Sequence, residues 1–451
     1  MTDSVFASHF TTGKLLRYCF GPIMMMILTS VYGVVDGFFV SNYAGAIPFA
    51  AINLVMPFLL IIGGFGFMFG TGGSALCAKT MGEGDQKKAN RIFSIMVEIT
   101  LLLGILLGVI GIVLMPAISD ALGATAEMRY DCITYGRIIL FFIPAFMLQY
   151  VFQAFMSTAQ KPGLGFLITL AAGIANMVLD YLFIAVFGWG VQGAAIATGI
   201  GQLIGGVIPL LYFMRKNSSI LVFSLTPLKA KPIIQASLNG SSELVNNVSS
   251  SIVSIAFNFQ LMRFAGEAGV AAYGVMMYVS MIFLAVAFGY TIGVSPIVSY
   301  NYGAQNRKEL QSLFKKSILI NTLSGIAMFL AAWFLARPLG LLFVGYDENL
   351  LNMTVKGLHM FAFCFLFANL NIFFSAFFTA LNNGLISALL SFSRTMVFSL
   401  LYVFLLPAIF GIDGIWWSTS ASDLSVFLLG LIILWNQNPK YHYLPEKRIS
   451  S

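Results

Sequence analysis

The sequence predicts an all-α integral membrane protein with twelve transmembrane helices in two parallel six-helix lobes, related by a pseudo-two-fold along the membrane normal. Three observations predict it. The 451 residues are 59% hydrophobic and only 9% charged, against about 25% charged in an average soluble domain, and the mean hydropathy is +0.90. Continuous apolar runs divide the whole chain, each near the roughly 20 residues a helix needs to cross the hydrocarbon core. The second half also repeats the first at a fixed offset, as the Gly and Thr matches below show.

This composition leaves too little polar surface to cover a water-soluble globule, which excludes a cytosolic enzyme, a nucleic-acid binder and a disordered chain. Barrel strands alternate apolar and polar residues, so the unbroken runs also exclude a transmembrane β-barrel. Cys19, Cys77, Cys132 and Cys364 lie in or beside apolar runs without metal or disulfide spacing and read as small core residues. The first run, Tyr18 to Val40, is too long for the apolar region of a cleavable signal peptide.

The spans fall near 15–40, 46–70, 92–115, 133–156, 163–187, 192–214, 233–262, 268–294, 317–337, 353–379, 384–408 and 414–435. Of the 24 Lys and Arg, 18 lie on the side of the termini: Lys14 and Arg17; Lys79, Lys87, Lys88 and Arg91; Lys161; Arg215, Lys216, Lys229 and Lys231; Arg307, Lys308, Lys315 and Lys316; and Lys440, Lys447 and Arg448. Arg129, Arg137, Arg263, Arg337 and Lys356 lie on the other side, and Arg394 lies inside a span. Basic loops stay cytoplasmic, so both termini are expected inside.

An offset of 221 places Ala44-Gly45 on Ala265-Gly266, Gly72 on Gly293, Gly82 on Gly303 and Lys87 on Lys308. It continues with Thr158-Ala159 on Thr379-Ala380, Gly163 on Gly384, Gly190 on Gly411 and Thr198 on Thr419, with no gap needed. Fixed-register matches over the whole length signal an internal duplication. Six helices per repeat is an even number, so both halves enter from one side and the repeats are parallel. Residues 1–221 are expected to form one lobe and 222–451 the other, joined by the basic linker RKNSSILVFSLTPLKAKP (215–232). A cleft between two such lobes suits a secondary transporter. Without a P-loop, its energy must come from an ion gradient.

Ionisable residues at bilayer depth are costly and mark functional sites by default. Here they are Asp36, Glu98, Asp180, Glu243, Arg394 and Asp423. Asp36 and Asp180 lie in the outer parts of spans 1 and 5, with Tyr32 and Asn176 four residues before them on the same helix faces. Tyr135 and Thr198 lie at similar depth in spans 4 and 6, so six polar groups of the first lobe converge on one level. The repeat mates of the two acids are Phe257 and Leu401, so the first lobe is expected to handle the ion. Two carboxylates sharing a site titrate as a pair.

Gly240, Glu243, Asn247, Ser250, Ser254 and Asn258 form a polar stripe along span 7. The stripe either lines the cleft or bonds to neighbouring helices, with Glu243 favouring the cleft. Glu98, near the inner end of span 3, is a weak candidate. Arg394 and Asp423 sit near the midplane of adjacent antiparallel helices and are expected to form a structural ion pair. The 43 Phe and 22 Met include Met276 and Met277, placed with Glu243 and Asn247 in a substrate cleft because flexible and aromatic faces suit promiscuous binding of flat apolar cations. Most of the other Phe and Met are expected to be packing or lipid-facing bulk.

The segments VVDGFFVSNYAG (34–45), MGEGDQKKAN (81–90), NMVLDYLFI (176–184), GWGVQGAAIATGIGQ (188–202) and VSYNYGAQN (298–306) resemble the multidrug and toxic compound extrusion (MATE) family, nearest its bacterial MepA-like and DinF-like branch. The resemblance covers nearly the whole chain. It implies a two-lobed antiporter in the bacterial inner membrane that exports lipophilic organic cations in exchange for H+ or Na+. It also implies that Tyr32, Asp36, Tyr135, Asn176, Asp180 and Thr198 form the coupling site, with Na+, if used, held by Asp36, Asn176, Asp180 and Thr198. No other cofactor and no nucleic acid is expected, and the protein is expected to be a monomer. Span 1 opens with Gly21-Pro22, whereas the register gives Ser242-Glu243 in span 7. A kink there is not carried over, nor is a family carboxylate farther along that span assigned to Glu243.

A lipid-linked saccharide flippase of the same superfamily is the alternative, but it would need basic groups in the cleft, where only Arg394 is intramembrane. The loops 82–91 and 303–316 loosely resemble those of major facilitator transporters, which the motif set disfavours. His9, His359 and His442 are not placed for membrane enzyme chemistry, and a passive channel would not need the lobed repeat.

Overall fold

In a computed structural model, residues 5–444 are described, and all the regular structure among them is helical. The termini's outermost charges, Lys447 and Arg448, lie outside the described residues. The first six spans are α1 (Thr12–Ala44), α2 (Ala46–Gly82), α3 (Gln86–Ala121), α4 (Arg129–Thr158), α5 (Pro162–Val186) and α6 (Gly190–Met214). A continuous helical stretch, Ala230–Gly303, has 74 residues. A straight helix of that length would span about 110 Å, several times the bilayer core. It folds back at Gly266, where φ is 60° and ψ −152°, so that Phe257 stacks on Tyr273 at 4.9 Å. It therefore supplies two spans, α7 (230–265) and α8 (267–303). The remaining spans are α9 (Arg307–Phe334), α10 (Glu348–Ala362 and Phe365–Ala380, bent by 48°), α11 (Gly384–Phe410) and α12 (Ile412–Tyr441).

The duplication is visible in the backbone. Positive φ recurs at Gly45 and Gly266, Gly84 and Gln305, and Gly190 and Gly411, all 221 apart. The N-caps of α3 and α9, Asp85 and Asn306, are also mates, and each accepts a hydrogen bond from the N–H three residues on. The turn after the fourth span departs from this register: its left-handed residues are Gln160 and Asn382, an offset of 222. The gapless repeat expected from the sequence therefore slips by one residue here, and Arg394 takes the place of Ala172.

Close helix packing obeys the same two-fold. A Cβ on Gly82 would fall on the carbonyl oxygen of Tyr300, and one on Gly303 on that of Lys79. Lys79 and Tyr300 are themselves mates, so the contact is reciprocal. Gly72 likewise meets Ala236 and Gly240, while its mate Gly293 meets Cys19, the mate of Gly240. Only glycine allows backbones to approach this closely. These contacts join the lobes at the end that carries the basic loops.

The buried apolar side chains follow this arrangement. One cluster at the basic-loop end draws on both lobes, from Phe6 and Cys19 to Phe93, Val298, Phe377 and Tyr443. At the other end each lobe has its own: Val40, Val55, Tyr135 and Val191 in the first, and Phe257, Met276, Leu358 and Trp416 in the second. The lobes thus share a core at one end and have separate cores at the other. The Phe-rich α10 is largely packing bulk, with Phe365, Phe373, Phe374, Phe377 and Phe378 all buried.

The linker is fastened along α3. Gln86 Nε2 donates to the Ile220 carbonyl at 2.7 Å. Val222, Ser224 and Thr226 donate their N–H groups to Asn90 Oδ1 (3.4 Å), Ser94 Oγ (3.0 Å) and Glu98 Oε1 (3.0 Å). Every second residue of an extended chain thus meets every fourth of a helix, two repeats of about 6–7 Å. Glu98, a weak candidate from the sequence, is the last rung of this ladder.

Candidate functional site

A cavity of about 190 Å³ lies within the first lobe, walled by α1, α2, α4, α5 and α6. Tyr32, Asp36, Tyr135, Asn176 and Thr198 all line it. Asp180 lies behind this lining, fully buried. It is close enough to Asp36 for their charges to interact, and Tyr135 stands near both acids. Asp36 sits beside Thr198.

Irregular backbone and small residues lie beside these groups. A wide, π-type turn, Val40–Ala44, ends α1 one turn beyond Asp36, and another, Tyr181–Val186, begins directly after Asp180. Such turns rotate the following side chains out of the regular helical register and are frequent at functional sites. Gly173 makes room for the Tyr32 ring, and Gly201 for Asn176. The Tyr32 hydroxyl bonds Thr29 at 3.2 Å and receives Gln149 Nε2 at 3.5 Å.

The site's main chemical feature is its unpaired polar atoms. Asp36 Oδ1, both carboxylate oxygens of Asp180, Tyr135 OH, Asn176 Nδ2 and Thr198 Oγ1 are buried with no protein partner among the described residues. Gln153 and Gln202 add further unpaired amide atoms from the same cavity wall. A buried polar group without a partner is costly, so this cluster is arranged for something other than the protein's own side chains. Gln149, Gln153 and Gln202 were missed from the sequence. The signal was there: Gln149 and Gln153 are four apart, and Gln202 follows Thr198 by four, the same helix-face rule that picked out Tyr32 and Asn176.

A second cavity, of about 210 Å³, lies in the second lobe. It is the mate of the first: Ser250, Val253, Phe257, Met277, Ser280, Thr419 and Asp423 line it where Thr29, Tyr32, Asp36, Met56, Leu59, Thr198 and Gln202 line the other. Here Arg394 Nε donates to Asp423 Oδ1 at 2.8 Å, and Asn371 Nδ2 donates to the same oxygen at 3.0 Å and to the Asp423 carbonyl at 2.8 Å. Both charges are largely shielded, with side chains 17% and 4% exposed. Arg394 lies in a third π-type turn, Ser393–Val397.

Of the four residues expected in a substrate cleft, Met276 is placed differently. Met276 is buried in the second-lobe core with its methyl against Gly357, and only Met277 lines a cavity. Neighbours on a helix point about 100° apart, and here only Met277 is turned toward the cavity. Glu243 and Asn247 line neither of the two lobe cavities. They lie on the face of α7 that meets α2, where Gly240 packs on Gly72 and Asn247 covers Gly64. Small residues bring the two helices together there and close the seam. Ser250 and Ser254, farther along the same stripe, do reach the second cavity.

Two six-helix lobes, each with a polar cavity inside the bundle, define a multi-pass membrane transporter. The MatE family model matches twice, at residues 22–182 and 244–405, and the chain belongs to that family. It is 22% identical over 420 residues to the multidrug export protein MepA of Staphylococcus saprophyticus, covering 92% of this chain and 91% of that one. It is also 22% identical over 417 residues to the MepA of a Staphylococcus aureus strain, with the same coverage. Among solved structures it superposes on a MATE protein in complex with MaL6 with a TM-score of 0.92, at 20% identity, covering 98% of this chain and all of that one. An outward-facing multidrug resistance transporter of the family gives 0.91 at 20% identity, covering 97% and 98%.

Proposed function

We propose that this protein is a multidrug exporter of the bacterial plasma membrane that expels lipophilic organic cations by antiport with H+ or Na+, working by alternating access. The observation that carries the reading is the Asp36–Asp180 cluster with its unpaired buried oxygens. Its relatives of matching length, described as multidrug export proteins, support the export of drugs.

Lobe 1–221 couples the ion and lobe 222–451 completes the cleft. A proton needs only one of the two carboxylates, and the other then holds the site's remaining charge. A hard cation such as Na+ takes oxygen ligands, which Asp36, Asp180 and Thr198 supply, with the Asn176 amide beside them. In either case, binding removes negative charge from the lobe and weakens its hold on a cationic substrate. The ion drives transport only if it binds the two states of the protein differently.

The shared core and reciprocal glycine contacts at the basic-loop end support alternating access. With that end cytoplasmic, as the basic bias implies, the lobes are closed inside and parted outside. Taking up drug from the cytoplasm requires the Gly72–Gly240 and Gly82–Gly303 contacts to separate, which exposes Glu243 and Asn247 on the opened seam. The protein acts as a monomer and is not an enzyme.

The test is drug efflux from proteoliposomes with proton and sodium gradients imposed independently. One gradient alone is expected to drive efflux. Efflux at the same rate with no ion gradient would overturn the antiport reading.

A further inference from the structure

The duplication creates two equivalent junctions at the basic-loop end, and they differ. The linker residues 226–231 are the repeat mates of residues 5–10 at the N-terminus. Residues 5–10 fill their junction. Phe6 and Phe10 are fully buried, the Phe10 N–H and the His9 Nδ1 meet the two oxygens of Glu309 at 2.9 and 2.6 Å, and Lys316 Nζ donates to the Phe10 carbonyl. This junction is packed, and its carboxylate is held by His9 and the Phe10 N–H.

The linker leaves its junction open. Pro227 stands where Phe6 does, and Lys231 where Phe10 does. Between the end of α2, the start of α3 and the linker lies a groove of about 910 Å³. Lys79, Lys87, Lys88, Arg91, Lys229 and Lys231 line it. Lys88 takes the place of the mate that would be Glu309, so the carboxylate that binds residues 9 and 10 at the other junction has no counterpart at that position here. Glu83 and Asp85 also face the groove. Glu83 is 3.7 Å from Lys79, and Asp85 caps α3 by accepting the Lys88 N–H at 2.9 Å. The other five bases form no ion pair among the described residues. The hydrogen-bond ladder from Ile220 to Thr226 holds the linker against α3, and Lys229 and Lys231 just beyond it line the same groove as Lys88 and Arg91.

We propose that this groove binds the phosphate of an anionic lipid headgroup. Several bases converging on one pocket match a phosphate's charge and acceptor oxygens. The position favours a lipid over a soluble phosphate: the groove lies where the apolar spans α2 and α3 end in basic loops, at the level of the headgroups, with the part-buried Leu76 beneath the bases. The groove is contributed by both lobes, since α2 and α3 belong to the first and Lys231 opens the second. A lipid held there bridges the seam that must open during transport. The proposal does not depend on which substrate is exported.

The test uses purified full-length protein in mixed micelles of detergent and phosphatidylcholine, titrated with phosphatidylglycerol, with the thermal unfolding midpoint as readout. Phosphatidylglycerol is expected to raise the midpoint of the parent. The triple variant Lys88→Gln, Arg91→Gln, Lys229→Gln should need on the order of a hundredfold more lipid for the same shift, as each base near a membrane surface contributes roughly a fivefold effect. The control variant Arg307→Gln, Lys308→Gln, Lys315→Gln, at the packed junction, should respond like the parent. Inorganic phosphate alone should do little. An unchanged response in the groove variant, or an equal loss in both variants, would overturn the proposal. Full stabilisation by inorganic phosphate would overturn the assignment to a lipid.

Discussion

The cavities of the two lobes have the same frame and opposite electrostatic designs. In the first, the Asp36 carboxylate and its neighbours have buried atoms with no protein partner. In the second, Phe257 stands at the Asp36 position and stacks on Tyr273, while Asp423, at the Gln202 position, is held by Arg394 and Asn371. One lobe keeps its charge available and the other neutralises it internally. The helix ends, caps and interlobe glycines, by contrast, are alike on both sides. Duplication has kept the parts where the two lobes meet and altered the few side chains that set the charge of each cavity.

The largest expected effect follows from the first cavity. Asp36→Asn or Asp180→Asn keeps size and hydrogen-bonding capacity but fixes the neutral form. Gradient-driven efflux should fall to background while folded protein persists, and drug binding should survive because the cleft draws on both lobes. Normal pumping against a gradient by either variant would move the coupling site elsewhere, with Glu243 next in line.

The second cavity should respond in the opposite way, through folding. Arg394→Ala or Asp423→Ala strands a buried charge, at a cost of about 3–5 kcal/mol, and should sharply lower the yield of monodisperse protein. Arg394→Met combined with Asp423→Leu removes both charges and should recover much of that yield. A double variant no better than the single ones would show that the pair does more than neutralise itself.

Most of the architecture was legible in the sequence because bilayer physics leaves few options. Apolar length gives the spans and fixed-register glycines the duplication. The converging groups of the first cavity were legible for the same reason, since a carboxylate at bilayer depth needs a purpose. Other features depended on packing. Met276 and Met277 are indistinguishable by composition, and only helix phase separates a core residue from a cavity wall. The α2–α7 contact beside Glu243 and Asn247 needs glycines on a different span, Gly64 and Gly72, whose partners no local pattern names. The slip between Gln160 and Asn382 was hidden because Gly163 and Gly384 match at the old offset although the structure pairs Gly384 with Pro162.

Where the lobes are alike, equal changes should have equal effects. Gly82→Leu and Gly303→Leu each push a side chain onto a carbonyl of the other lobe. Overpacking of this kind costs about 1–3 kcal/mol and opposes closure at the basic-loop end. Both variants should slow efflux to a similar extent and make the seam more accessible to a thiol reagent at a cysteine introduced at Asn247. A large effect from one glycine only would mean that the two contacts are not equivalent in function, whatever their geometry.

The smallest expected effect isolates the chemistry from the frame. Thr198 and Thr419 are repeat mates at the same level of their cavities, and Thr→Val removes the hydroxyl with little change in volume. Thr198 stands beside Asp36, and its oxygen is among the buried unpaired atoms. Losing it removes one oxygen ligand or hydrogen bond from the coupling site, worth about 1 kcal/mol, or roughly a fivefold change in apparent affinity for the driving ion. Thr419 lines a cavity whose charges already satisfy each other, so Thr419→Val should leave ion dependence within about twofold of the parent on the same reasoning. Measuring efflux against the concentration of the driving ion compares the two directly. Equal shifts from both variants would place an ion-handling role in the second lobe as well and break the division of labour between the cavities.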